Sequence, residues 1–320
     1  NNNVSRKITW STWAVCAENI ALALIISLTF YTTLPVKTQK KLTIPQGATS
    51  KSIISQLNKG GYDVGFIDAM ILSQMGKITQ GEVRFRKPYV SNRIDILYHL
   101  TKAKVPLHKI TLIPGETTEI FLNIVAEKIE INATKLLDAY HTRAKYPGAG
   151  IAADSYLVPK KMNEEKLIKF LLRSSEKHYK KLSTKYYGDY NRTQWHKTLI
   201  IASIIQKEAA NRQEMPLVAS VIYNRLKKNM RLQMDGTLNY GKYSHIKVTP
   251  ERIRNDLSSY NTYKHKGLPP TAIGAVSTHA IDAVINPAKT NYLYFMRNKD
   301  GVHDFTDTFK KHRKNIRKVK

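Results

Sequence analysis

Residues 199–226, LIIASIIQKEAANRQEMPLVASVIYNRL, constrain the fold more than any other stretch. They read as two helices joined by a short polar turn. Ile201, Ile205 and Glu208 fall at i, i+4 and i+7, and Ile204 lies four before Glu208, so an acid continues an apolar stripe. Desolvation raises a carboxyl pKa, and a raised pKa is what a general acid near neutral pH requires. The second helix opens at Glu214, where a carboxylate suits the helix dipole, with Pro216 in its first turn. Val218, Ile222 and Arg225 share one face of it, and Asn224 lies three after Val221. Polar groups therefore sit at the ends of two apolar faces, close enough to line one cleft. Helix geometry alone leaves two readings of Glu208: a desolvated acid, or a carboxylate that ends the helix and tips into solvent, as acids usually do. Glu214 reads as structural.

Three further strings follow in order: RLQMDGTLNYG at 231–241, SSYNTYKHKGLPP at 258–270 and INPAKTNYLYFMRN at 285–298. With these the chain resembles the membrane-anchored endolytic murein transglycosylases, the YceG-like family. The resemblance runs from about residue 41 to the end and is densest over 200–305. In that family the glutamate before a small residue in an SI-x-x-K-E-[TA] helix is the catalytic acid, the position that Glu208 holds here. The preceding family glutamate is Gln206 in this chain, which leaves one candidate. Gln233 and Asp235 match the family's L-Q-x-D-P-T, with Gly236 in place of proline. Tyr260, Asn261, Thr262 and Tyr263 match its YNTY, and residues 267–270 match its GLPP turn. Asn224 and Arg225 from the helix face, with Gln233, Asp235, Tyr260, Asn261 and Tyr263 from these motifs, are the expected substrate-binding groups. Asn, Gln and Tyr suit the hydroxyls and acetamides of a glycan. Bracing of turns and loops is the other reading of Gln233 and Asn261.

The resemblance implies a lyase that cuts the MurNAc–GlcNAc β-1,4 bond inside peptidoglycan strands, leaves 1,6-anhydro-MurNAc ends and so limits nascent strand length. It implies one carboxyl for both proton transfers and no metal or cofactor. Ordinary glycosidases use two carboxylates roughly 5–9 Å apart, which keeps Asp235 open as the second acid of a hydrolase. A noncatalytic peptidoglycan-binding scaffold is the remaining alternative, and Glu208 speaks against it.

The formal net charge of +28 suits a polyanionic partner: nucleic acid, an anionic membrane surface or a carboxylate-bearing cell wall. The chain carries no nucleic-acid motif, so nucleic acid is not an expected partner. Cys16 is the single cysteine, which excludes an internal disulfide. The histidines are scattered, without HExxH or CxxC spacing, and a zinc site is not expected.

Ser5, Arg6 and Lys7 precede an apolar segment over 8–34, whose centre, 21–30, is almost wholly apolar. About 20 apolar residues span a bilayer, a length reached here only by including Glu18 and Asn19. No small-x-small cleavage site follows, so the segment reads as an uncleaved anchor rather than a signal peptide. Arg6 and Lys7 would hold the N-terminus in the cytoplasm and place the body outside the inner membrane, although Lys37, Lys40 and Lys41 pull against that orientation. Residues 41–62 read as strand, turn and helix, with Thr49 or Ser50 as N-cap. A short helix follows over 68–75, then a strand and a helix capped near Ser91. Residues 108–129 repeat the strand–helix scheme with Thr117 as cap. The family has a LysM-like subdomain in the first of these regions. Residues 147–159 read as a loop in which Asp154, Ser155 and Tyr156 remain of the family's E-G-x-x-x-P-D-T-Y. Residues 160–187 read as a long basic helix, and 290–312 as a strand pair and a helix, with His303 structural.

The expected architecture is α+β. A cytoplasmic stub and transmembrane helix occupy 1–36, a small LysM-like module 37–105, and a mixed α/β catalytic domain with its glutamate on a helix 106–320. Expected partners are peptidoglycan strands, the inner membrane and, from the resemblance, the wall-synthesis machinery.

Overall fold

The computed structural model describes residues 10–45, 47–86 and 89–319; Ser5, Arg6 and Lys7 lie outside the described residues. Helix α1 (Trp10–Thr33) comes first. Its stretch Trp13–Thr33 is 21 residues of apolar helix, long enough to cross a membrane, with none of that face buried against protein. At 1.5 Å per residue this is roughly 31 Å, the thickness of a hydrocarbon core. The chain divides into two compact units, Asn1–Pro106 and Leu107–Lys320.

The first unit continues through β1 (Pro35–Lys37), β2 (Lys41–Ile44), α2 (Ser50–Lys59), α3 (Phe66–Met75), β3 (Gly81–Arg84), β4 (Val90–Asn92) and α4 (Arg93–Thr101). Alternation along KLTI turns Leu42 and Ile44 inward, and β2 pairs antiparallel with β3 so that Leu42 faces Val83. These two strands enclose α2 and α3 in sequence, the strand–helix–helix–strand order read from the residues. Thr49 caps α2 and Ser52 reaches back to the Thr49 N–H, a reciprocal cap. The cap of α4 is Asn92, one residue beyond Ser91. β1 pairs with β4, and its Val36 is buried, so the compact unit takes in a residue that the anchor was expected to hold.

A buried ionic cluster locks this unit. The Arg93 Nη1 donates to Asp68 Oδ2 at 3.0 Å and to the Asp63 carbonyl at 2.7 Å, and its Nη2 donates to Asp63 Oδ2 at 2.8 Å. Tyr31, in the last turns of α1, donates its hydroxyl to the same Asp68 Oδ2 at 2.8 Å, and the Arg93 guanidinium lies 4.4 Å from the Tyr31 ring centre. The end of α1 is thereby tied to α3 and α4.

The second unit runs through β5 (Leu107–Thr111), α5 (Thr118–Ile129), α6 (Ala133–Arg143), β6 (Ser155–Pro159), α7 (Glu164–Tyr187), α8 (Arg192–Glu208), α9 (Met215–Lys227), α10 (Pro250–Asn255), α11 (Thr278–Ile285), β7 (Tyr294–Arg297), β8 (His303–Thr306) and α12 (Phe309–Val319). β5 and β6 pair antiparallel, Ile110 facing Tyr156. Part of the expected 147–159 loop is therefore a strand. Tyr156 and Val158 point inward, and the exposed Leu157 between them hides the two-residue period. Tyr156 donates to the Ala152 carbonyl at 2.8 Å, so the Asp154-Ser155-Tyr156 remnant braces the entry to β6. α7 buries Leu167, Ile168, Leu171, Tyr179 and Leu182 along one face and leaves its lysines outside. α8, α9 and α11 pack together around Trp195, Ile204, Val221, Ile222 and Ile281. Together the units make a mixed α/β protein with one long N-terminal apolar helix.

Asp68 is fully buried and Arg93 nearly so. Asp68→Ala strands the guanidinium, and we expect the first unit to lose roughly 3–5 kcal/mol. Hydrogen exchange at α2 and α4 measures this directly; protection unchanged from the parent would show that the cluster does not hold the unit.

Candidate active site

α8 starts at Asn191, whose side chain accepts the Gln194 N–H at 3.0 Å. Its isoleucines are indifferent helix formers, and their burial against α9 and α11 overrides that preference. On the polar side, Ser203 accepts the Ile273 N–H at 3.0 Å and Gln206 accepts the N–H of Ser277, the N-cap of α11, at 3.2 Å. Gln206 is thus a brace. The helix ends at Glu208, because Ala209 turns extended (φ −72, ψ 132).

Glu208 keeps a partial opening to solvent, yet protein closes around its carboxyl. Burial pushes its pKa up to about 7; the Gly236 N–H and the Arg225 charge oppose the rise, and the Asp235 charge adds to it. A helix C-terminus carries negative partial charge and works in the same direction as burial. Of the two sequence readings of Glu208, the desolvated acid holds: the residue ends the helix, but its carboxyl does not tip into solvent. Its Oε1 accepts the Gly236 N–H at 2.7 Å. A Cβ on residue 236 would sit 2.8 Å from that oxygen and 2.7 Å from the Lys207 Cβ, so glycine is what permits this close approach.

The loop that supplies Gly236 is laced to the YNTY segment. Gln233 takes a left-handed backbone (φ +49), an unusual choice for a side-chain-bearing residue. Its N–H donates to the Thr262 carbonyl at 3.1 Å, and the Met234 N–H donates to Thr262 Oγ1 at 3.1 Å. The Tyr263 hydroxyl donates to Asp235 Oδ1 at 2.6 Å. Burial, then the Asp235 hydrogen bond and charge, push the Tyr263 pKa up, which keeps that hydroxyl a donor. The Tyr260 hydroxyl meets Thr271 Oγ1 at 2.6 Å, and its ring stacks on Tyr240 at 4.1 Å. Gln233 leaves its side chain exposed.

Three expected binding residues make their hydrogen bonds to the scaffold. Asn261 has no exposed surface; its amide donates to the carbonyls of Ile253 (2.8 Å) and Asp256 (2.7 Å) and its oxygen accepts the Tyr263 N–H at 3.1 Å. It takes the bracing role. Asn224 donates to the carbonyls of Thr290 (2.9 Å) and Tyr292 (3.0 Å). Arg225 is buried, donates to the Leu293 carbonyl at 2.6 Å and to the Leu232 carbonyl, and lays its guanidinium on the Tyr294 ring. It pins the loop after α9 to the segment before β7, and only its charge reaches Glu208. Buried donors with backbone partners are costly to divert, since each carbonyl would be left unpaired.

Other polar groups here were not singled out by the sequence. Glu116, in the turn before α5, meets His245 Nε2 at 2.8 Å and accepts the Thr117 N–H at 2.7 Å. Burial opposes its ionisation, but the Thr117 N–H, His245 and Ser244 overcome it and hold the pKa below the ordinary value. Lys207 donates to Ser244 Oγ at 2.9 Å; burial lowers its pKa and the Glu116 charge partly offsets this. An acid between Pro-Gly and a helix cap reads as a helix-end ornament, and His245 lies too far along the chain to be linked to it by pattern. Glu214 accepts the His303 N–H at 2.7 Å, meets its Nδ1 at 2.6 Å and accepts the Ala210 N–H at 3.1 Å. The two residues read as structural are therefore one contact, which fixes the turn after Glu208. Among the described residues no group of His, Cys, Asp and Glu is arranged to hold a metal.

Fold and site define a class: a mixed α/β protein with a membrane-length N-terminal helix, built around one carboxyl that keeps its proton to near neutrality. The sequence pattern of the YceG-like family matches residues 42–318, and the chain belongs to that family. It is 28% identical over 284 residues to the endolytic murein transglycosylase of Bacillus subtilis, covering 84% of this chain and 69% of that protein. It is 38% identical over 103 residues to the endolytic murein transglycosylase of Streptococcus pneumoniae, covering 31% of this chain and 19% of that one. A crystal structure of a YceG-like protein from Listeria monocytogenes superposes with a TM-score of 0.55 at 25% identity, covering 86% of this chain and 98% of its own.

Two predictions concern the carboxyl itself. The folded chain holds the Glu208 proton to about pH 7, whereas an ordinary glutamate releases it near 4.5. Its contribution to stability is complete below the lower value and is lost as pH rises through the upper one. Glu208→Gln removes that loss. We expect the variant to match the parent under acid conditions and to exceed it, by on the order of 1–3 kcal/mol, well above neutrality. Thermal melts at the two pH extremes check this. Second, Gly236→Ala forces the N–H and the carboxyl apart. That bond favours the ionised form, so its loss moves the Glu208 titration upward, read by carbon-13 NMR of labelled glutamate; a downward or absent move would deny the bond its role.

Proposed function

We propose that this protein is an endolytic murein transglycosylase and that Glu208 carries out both proton transfers. The observation that carries the reading is the carboxyl at the end of α8, desolvated so that it is largely protonated up to about pH 7, with the Gly236 N–H on its Oε1. The names of the relatives support the substrate class. Glu208 protonates the glycosidic oxygen as the MurNAc–GlcNAc bond breaks. The carboxylate that results takes the proton of the muramyl C6 hydroxyl, whose oxygen closes on C1. The product is a 1,6-anhydro end, the acid regains its proton, and no water is consumed. The Gly236 N–H stabilises the carboxylate between the two steps.

In this reading Asp235 is a positioning group rather than a second acid, since its Oδ1 is engaged by the Tyr263 hydroxyl. Gln233, Tyr260 and Tyr263 are the groups left to meet the glycan, and Asn224, Arg225 and Asn261 hold the loops that carry them. We assign residues 37–105 to a LysM-like module and 106–320 to the catalytic domain. α1 is an uncleaved anchor in the cell membrane, with the body on the outer face beside the wall-synthesis machinery. Cutting there limits the length of new strands.

Two outcomes test the chemistry. Glu208→Gln is near-isosteric but transfers no proton, and we expect cleavage to fall about 10²–10⁴-fold with the fold retained. Asp235→Asn slows turnover yet still yields anhydro ends. Mass spectrometry of muropeptides separates these, because an anhydro end is one water lighter than a reducing end. Reducing ends from the parent would overturn the transglycosylase reading and favour a hydrolase using both carboxyls. The donor must also be protonated, so kcat/KM falls with pH above about 7, approaching tenfold per pH unit. A profile flat through pH 9 would remove Glu208 from the role of acid.

A further inference from the structure

α3 presents an apolar surface that none of the described residues of the first unit covers. Phe66 is 78% exposed, Met70 57% and Ile67 46%, while Asp68 and Leu72 on the opposite face are buried. The exposed face turns polar further along the helix, at Ser73 and Gln74. The apolar part is thus confined to the first turn and a half. A phenylalanine this exposed beside two more large apolar side chains is unusual for a surface that meets only water.

The patch lies on the same helical turn that is tied to the exit of α1. Asp68 lies between Ile67 and Met70 and accepts the hydroxyl of Tyr31, two residues before the end of α1. The same carboxyl oxygen accepts the Gly65 N–H at 2.7 Å, which sets the start of α3. The guanidinium of Arg93 stacks on Tyr31 and bonds Asp68, so the first turn of α3 is held rigidly against the exit of α1. Asp63, three residues before Phe66, is also paired with Arg93, at 2.8 Å. With Trp13–Thr33 across the membrane, Tyr31 lies two residues from the end of the span, near the membrane–water interface, where tyrosines concentrate. Thr32 and Thr33 return their hydroxyls to the carbonyls of Thr29 and Phe30 at 2.8 and 2.7 Å, as polar side chains near lipid require.

We propose that the first turn of α3 inserts Phe66, Ile67 and Met70 into the membrane interface beside the exit of α1, as a second, monotopic contact with the lipid surface. The proposal rests on reading α1 as a membrane span. The contact fixes the first unit against the bilayer instead of letting it swing on a single helix.

The test uses the full chain with Cys16→Ala, reconstituted in phospholipid nanodiscs, and one nitroxide label at a time on Met70→Cys, Ile25→Cys or Lys181→Cys. Collisions with oxygen, which partitions into lipid, are compared with collisions with a water-soluble nickel chelate. Lys181 lies on the exposed face of α7 and serves as the water reference. We expect the oxygen-to-nickel ratio at residue 70 to exceed that at residue 181 several-fold and to approach that at residue 25. A water-like ratio at residue 70 with a lipid-like ratio at residue 25 overturns the α3 contact alone. A water-like ratio at residue 25 overturns the anchor reading, and this proposal with it.

Discussion

One contact organises the second unit: the Glu208 carboxyl against the Gly236 N–H. Burial and the helix end favour the neutral acid; the N–H favours the carboxylate. Without the N–H the carboxyl would hold its proton more tightly, and without desolvation it would lose it at ordinary acid pH. The proposed role, giving and then taking a proton within one cycle, needs that balance, and a backbone N–H contributes to it.

Much of the polar chemistry around this contact exists to keep it in place. Arg225, Asn224 and Asn261 are spent on main-chain carbonyls of the segments at 231–232, 290–293 and 253–256. Thr262 holds the loop that carries Gly236, and the Glu214–His303 pair holds the turn after Glu208. Loops with little regular structure need such ties, because unpaired backbone groups inside a protein are costly. The side chains left free to meet a ligand are correspondingly few.

The first unit follows the same principle with different groups. A buried aspartate and arginine would be a weak device for stability alone, since desolvation offsets most of their attraction. Here the pair also captures Tyr31, and so converts a flexible exit from α1 into a fixed one.

The residues alone determined the helix pair over 199–226, the acid in its stripe, the strand–helix–helix–strand order of the first unit and the hairpin and helix near the C-terminus. Each is a local matter of period, cap and turn. The resemblance to the YceG-like family, carried by the contiguous strings LQMDGT and YNTY, also marked the loops that approach Glu208. The residues did not reveal β6, where exposed Leu157 breaks the alternation. They did not sort Asn261 and Asn224 from Gln233, because an amide has the same hydrogen-bonding inventory whether it faces a sugar or a carbonyl. That choice depends on where distant backbone passes, as does the partnership of Glu116 with His245 and of Tyr31 with Asp68. Only the tertiary structure brings those groups within hydrogen-bond reach. It alone decides how far Glu208 is desolvated, because burial is a property of what surrounds a residue and not of the residue itself.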